Sequence, residues 1–160
     1  MKKLYLSLLL IATAVVFLFS FTTADEKPWF DMEHCGFCKI LTEYEGLLDN
    51  MTWEHYEISN GIVSISAVKD DYREAFDEVG IRMKEVGERV MKGEEVPLCG
   101  MCTAMGHFFA RGVKYEQVKT KNGDFTIMTS DNPEVVEEMK KWARRTNEEM
   151  EKFLAAKKKE

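Results

Sequence analysis

All four cysteines of the 160-residue chain stand in two matching patterns, Cys35-Gly36-Phe37-Cys38 and Cys99-Gly100-Met101-Cys102. Each pair opens what reads as an amphipathic helix. A helix start presents amide groups without intrahelical partners and the positive end of the helix dipole, so it favours thiolate over thiol. Thiolate is the form that ligates metal, attacks a disulfide or oxidises. Two such pairs in equivalent places of a repeated unit could converge on one site. Four thiolates together make the closed tetrahedral arrangement of structural zinc. Cys35, Cys38, Cys99 and Cys102 are therefore the candidate metal ligands, with zinc the expected ion and Cu(I) the alternative. Spacing alone does not impose a shared site, because 60 residues separate the pairs against about 15–20 in a zinc ribbon.

Two other chemistries compete. Cysteines of an exported protein normally pair as disulfides, which would make this a stapled structural or interaction domain. A disulfide inside Cys-x-x-Cys closes a very short loop and stabilises little, so such pairs suit ligation or redox work better. The third possibility is thiol-disulfide exchange. Both Cys-Gly-x-Cys stretches resemble the thioredoxin-type active-site motif over four residues each, which implies a redox pair. A second likeness covers more of the chain. Met32, Cys35 and Cys38, a helix over 37–51, the Asn60-Gly61 hairpin and a helix over 71–91 are similar in order to a heavy-metal-associated domain of the copper-chaperone-like family. That resemblance implies metal binding by the cysteine pair, and the whole arrangement is duplicated here. The family's Met-x-Cys-x-x-Cys has one residue fewer between Met and Cys than this chain.

Other side chains offer less. His34 stands beside Cys35 and reads as a surface histidine or an extra ligand. His107 lies five residues after Cys102, about 140° round a helix, and faces away from that sulfur. His55 sits on a strand between Trp53 and Glu57 without an evident partner. Met32, Met101 and Met105 near the pairs would suit Cu(I), but Met105 also fits a core stripe. The sequence contains no nucleophile–base–acid set, no phosphate loop and no paired carboxylates at a working spacing. It reads as a binding protein more than an enzyme. Asn50-Met51-Thr52 is a glycosylation sequon that matters only in a eukaryotic host.

The elements that must position the cysteines show an internal repeat. Phe37, Ile40, Leu41 and Tyr44 are matched 64 residues later by Met101, Ala104, Met105 and Phe108. The spacing i, i+3, i+4, i+7 marks one helix face. Strands over 52–59 and 62–68 flank Asn60-Gly61, and strands over 113–121 and 124–129 flank Asn122-Gly123. Asn-Gly between such runs predicts two-residue type I′ turns, whose central residues need positive φ. A long helix closes each half, the first capped by Asp70 or Asp71. The second is capped by Ser130, Asp131 or Asn132, with Pro133 in its first turn. Their apolar stripes correspond: Phe76, Val79, Met83 and Val90 match Met139, Trp142, Thr146 and Phe153. These patterns predict an α+β fold, a tandem duplication of an α-β-β-α unit over 31–92 and 95–154, the two sharing one core. One antiparallel sheet with helices packed on it is expected, because a lone hairpin with two helices buries its own face poorly.

Before the repeats, Lys2 and Lys3 precede an apolar run over 4–21, then Thr22-Thr23-Ala24 and charged residues. That is the pattern of a signal peptide over 1–24, cleaved after Ala24. The mature chain would be exported, periplasmic or extracellular, and free of the membrane once processed. Without Lys2 and Lys3 it carries 20 basic against 28 acidic residues. The charges are dispersed along the predicted helices as on a solvated surface. No basic stripe argues for nucleic acid. A metal ion is the partner the sequence names, and it identifies no protein partner.

Overall fold

A computed structural model describes residues 27–157. The predicted signal peptide lies outside the described residues. Among those described, no helix is long and apolar enough to cross a membrane. The order is α1 (Cys38–Thr42), β1 (Met51–Ile58), β2 (Gly61–Val68), a 3-10 turn (Asp70–Tyr72) and α2 (Arg73–Met91). The second half repeats it as α3 (Gly100–Ala110), β3 (Lys114–Thr120), β4 (Gly123–Thr129) and α4 (Pro133–Lys157). Each half thus contributes helix, hairpin, helix, as the expected α+β duplication requires.

The two hairpins form one four-stranded antiparallel sheet in the order β1-β2-β4-β3. Its centre is the β2–β4 ladder, in which Ser64 pairs with Thr126. These two residues are 62 apart, the same offset as the Asn-Gly turns. A residue that pairs with its own repeat equivalent lies on a pseudo-twofold axis. Trp53 pairs with Ser66 and Tyr115 with Met128, equivalent pairs at that same offset. The hairpin glycines meet at this symmetry too. A Cβ on Gly61 would lie 1.9 Å from the Met128 carbonyl oxygen, and one on Gly123 would lie 2.0 Å from that of Ser66.

Three local expectations are corrected. Ser59-Asn60 and Lys121-Asn122 occupy the turns, and no non-glycine residue among those described has positive φ. The turns are therefore not type I′, and the glycines serve the approach of the neighbouring hairpin instead. The first helix stops at Thr42 rather than running to Met51. Gly46, at φ +76°, breaks it, and a chain of short turns delivers Leu47 to the core. Neither Asp70 nor Asp71 caps α2, which begins behind the 3-10 turn without a side-chain cap. At α4 the expected cap forms, because Asn132 Oδ1 accepts the Glu134 N–H at 2.9 Å.

Two apolar clusters hold the layers. One joins Ile40, Leu41, Leu47, Val68 and Val79, with Phe76 and Met83 of α2 against it. The other contains Cys35, Cys38 and Cys99 with Met128, Val135, Met139 and Trp142. Helix α4 crosses the inner face of β1 and β2, and α3 packs on α4. An edge-to-face series of rings runs through this layer. His55 lies 4.8 Å from the centroids of both Trp53 and Trp142, and Phe108 lies 6.3 Å beyond Trp142.

Candidate metal centre

The two cysteine pairs are built alike. The Lys39 N–H donates to the Cys35 carbonyl at 3.1 Å, and the Thr103 N–H donates to that of Cys99 at 3.0 Å. In each pair the second cysteine's N–H reaches the first cysteine's sulfur, Cys38 to Cys35 and Cys102 to Cys99. Such bonds stabilise thiolate. The approach to the first pair is set by Asp31, whose Oδ1 accepts the Glu33 and His34 N–H groups at 3.1 and 2.8 Å. The His34 amide is the main reason that the Asp31 carboxyl lies below its usual range.

Each pair is closed by the other half. The Gly36 N–H donates to the Pro97 carbonyl at 2.8 Å, and the Gly100 N–H donates to the Pro28 carbonyl at 2.9 Å. Two proline-led straps, Pro28-Trp29 and Pro97-Leu98, therefore cross over, each lying on the opposite half's cysteine turn. The Trp29 carbonyl also accepts the Met101 N–H at 3.1 Å, and Trp29 Nε1 donates to Thr146 Oγ1 at 3.3 Å. This explains the glycine inside each Cys-Gly-x-Cys. A Cβ on Gly36 would lie 2.3 Å from Val96 Cγ1, and one on Gly100 would lie 3.3 Å from the Lys27 and Pro28 carbonyl oxygens.

The straps bring all four sulfurs within 4.8 Å of one another. Cys38 Sγ stands 3.7 Å from Cys99 Sγ and 3.9 Å from Cys102 Sγ, and both contacts run between halves. Cys35, Cys38 and Cys99 are buried and Cys102 is partly so; all four are free thiols, none at disulfide bonding distance. A tetrahedron with bonds of about 2.3 Å has edges of about 3.8 Å. The donor set, burial and sulfur separations fit a metal ion such as zinc. Four crowded sulfurs share protons unevenly. Hydrogen bonds from Cys102 first, then Cys38 and Cys99, hold the Cys35 thiol far below its ordinary range. Cys99 is lowered to about 7, again chiefly by Cys102. Cys102 is pushed up by its bonds to Cys35, Cys38 and Cys99. For Cys38 the Cys102 bond favours thiolate, but Cys35, Cys99 and burial outweigh it and raise the thiol.

The remaining candidates fall outside the sulfur cluster. His34 is exposed, and its Nδ1 lies 3.2 Å from Asp31 Oδ1. His107 is exposed beside an open hollow between α3 and α4. Met101 is core, and Met32 and Met105 pack against that core. His55 does have partners: Nδ1 meets Ser64 Oγ at 2.6 Å, and Asn147 bonds both its backbone N–H and its carbonyl. Its Nε2 is buried without a partner, and burial lowers its pKa to about 4. Sequence reasoning missed the straps and Asp31. The recurrence of Pro-apolar ahead of each cysteine pair was the available signal, obscured by five extra residues before Cys35. Comparison with protein-family models, curated proteins and solved structures returns no match for this chain.

Proposed function

We propose that this is an exported metal-binding protein whose Cys35, Cys38, Cys99 and Cys102 hold one zinc ion. The observation that carries the reading is the inter-half sulfur separation of 3.7 and 3.9 Å, which matches a tetrahedral edge. Zinc is preferred over Cu(I) because four converging thiolates suit a tetrahedral ion, whereas Cu(I) is well served by fewer soft ligands. With every ligand position taken, the ion's chemistry is to neutralise and fix the four thiolates. Its role is to tie the two halves, not to activate water. It also answers the compartment problem, since ligated thiols resist the oxidation expected outside the cytoplasm.

The partial exposure of Cys102, next to the lowered thiol of Cys99, favours a second reading, thiol-disulfide exchange through the Cys99–Cys102 pair. One experiment separates the two. Protein purified from the exported fraction is assayed for metals and for thiols, natively and after denaturation with a chelator. One zinc per chain, with four thiols that react only after denaturation, supports the zinc site. Four oxidised cysteines and no metal would end it in favour of the redox or stapled alternatives.

A further inference from the structure

The sheet has a second face, and its centre is apolar. Alternation along the strands sends Trp53, His55, Ile62 and Met128 inward under α4. The residues between them point the other way. At the centre of that outer face lie Val63, Ile65, Phe125 and Ile127, with Tyr56 and Val118 at opposite corners. Phe125, Val118 and Tyr56 are 37, 43 and 51% exposed. None of the six belongs to either core cluster or packs against one. The helices packed on the sheet lie across its inner face. A contiguous apolar patch of this kind marks an interaction surface.

We propose that this face is an interface between two copies of the chain, packed sheet on sheet as a β-sandwich. The inference concerns the opposite side of the sheet from the sulfur cluster and does not depend on the metal reading. Two features favour a second copy. The first is self-complementarity. The pseudo-twofold relates Tyr56 to Val118, Val63 to Phe125, and Glu54 to Glu116, so the patch repeats its own pattern. Place a dimer twofold through its centre, either along or across the strands. Each of Glu54 and Glu116 then falls opposite Tyr56 or Val118 of the other copy and never opposite a carboxylate. Tyr56 is already a donor to such a group, its hydroxyl bonding Glu54 at 2.5 Å. The second is size. Four strands at about 4.8 Å and about seven residues at about 3.4 Å present roughly 450 Å² per copy in plan. The pair would bury about 900 Å² by that count and more once protruding side chains are included. This is near the lower bound of about 1,000 Å² for a specific contact. Aligned sheet packing brings such faces to about 10 Å. An interface of this size makes a weak, reversible dimer.

The test is sedimentation equilibrium of the chain beginning at Asp25, as purified, from about 1 to about 500 µM, a range that reaches weak association. Wild type is expected to move from the monomer to the dimer mass across this range. Ile127→Lys and, separately, Phe125→Lys should remain monomeric throughout, with unchanged circular dichroism and metal content. Tyr115→Lys, on the inner face of β3, should dimerise like wild type. A wild-type protein that stays monomeric at the highest concentration overturns the proposal. So does a dimer that persists in both outer-face variants, which would place the contact elsewhere. If the chain retaining residues 1–24 is monomeric while the shorter one dimerises, the leading segment covers the face and the second copy is refuted as its occupant.

Discussion

Replacing Cys35 by serine removes one of the four sulfurs and tests whether the halves share an ion. Structural zinc contributes an apparent 10–16 kcal/mol in small domains, or roughly 3 kcal/mol for each of four bonds. Because Cys38 Sγ lies within 3.9 Å of both Cys99 and Cys102, the loss falls on one centre and not on the first half alone. C35S should still bind one zinc, about 100-fold more weakly, and should melt roughly 10 °C lower. All three tryptophans pack in or against the cluster that contains the cysteines, so their fluorescence reports the melt. C35S/C99S, with one thiolate left per half, should retain no zinc through gel filtration. Its loss of stability should fall well short of the sum of the single losses, because each variant damages the same centre. A C35S protein that keeps an ion at wild-type affinity would refute the shared site, as would strictly additive losses.

Zinc binding at pH 7.5 should release about two protons, since the Cys38 and Cys102 thiols are held protonated whereas those of Cys35 and Cys99 are lowered; calorimetry in buffers of different ionisation enthalpy counts them. The Cys99 contribution, with its thiol lowered to about 7, is fully present above pH 9 and lost as pH falls through 7, so affinity should weaken on that side. His55, lowered to about 4 by burial, stabilises the fold fully above pH 6.5. That contribution, about 3 kcal/mol, is lost as pH falls through 4. Acid melts of His55→Phe should lack this limb of the profile. Gly36→Ala should cost about 1–3 kcal/mol through the 2.3 Å contact with Val96, and Val96→Ala in the same chain should restore most of the melting temperature. Asn147→Ala strips the partner from both the N–H and the carbonyl of His55 and should cost about 1–3 kcal/mol by denaturant titration.

The repeat was legible because its signals are local. Helix-face spacing at Ile40 and Leu41, alternation at Val63 and Ile65, and the Asn-Gly pairs depend on neighbours a few residues away. The Ser64–Thr126 pairing then follows, since two similar hairpins with a free inner edge join most simply about a twofold. What stayed hidden depends on tertiary approach. Gly61 and Gly123 mark the hairpins but serve the strand alongside. Gly36 and Gly100 look like redox-motif glycines, yet each makes room for a distant strap. His55 looked partnerless because Ser64 and Asn147 reach it from another strand and another helix. The Phe37 to Met51 stripe read as one helix because Gly46 interrupts the backbone without interrupting the burial of Leu47.

The exchanged straps also set a timetable for synthesis. The first cysteine turn waits for Pro97 and its sulfur partners for Cys102, while the second turn waits for a segment made long before it. The amino-terminal half can close its own apolar cluster, but its cysteine turn cannot finish alone. At about 5–20 residues per second, the 64 positions from Cys38 to Cys102 take roughly 3–13 s to make. Throughout that interval Cys35 and Cys38 have only each other, so premature oxidation of that pair is the principal hazard on the way to the native state. A reducing environment, or a metal donor waiting at the point of emergence, would decide the yield.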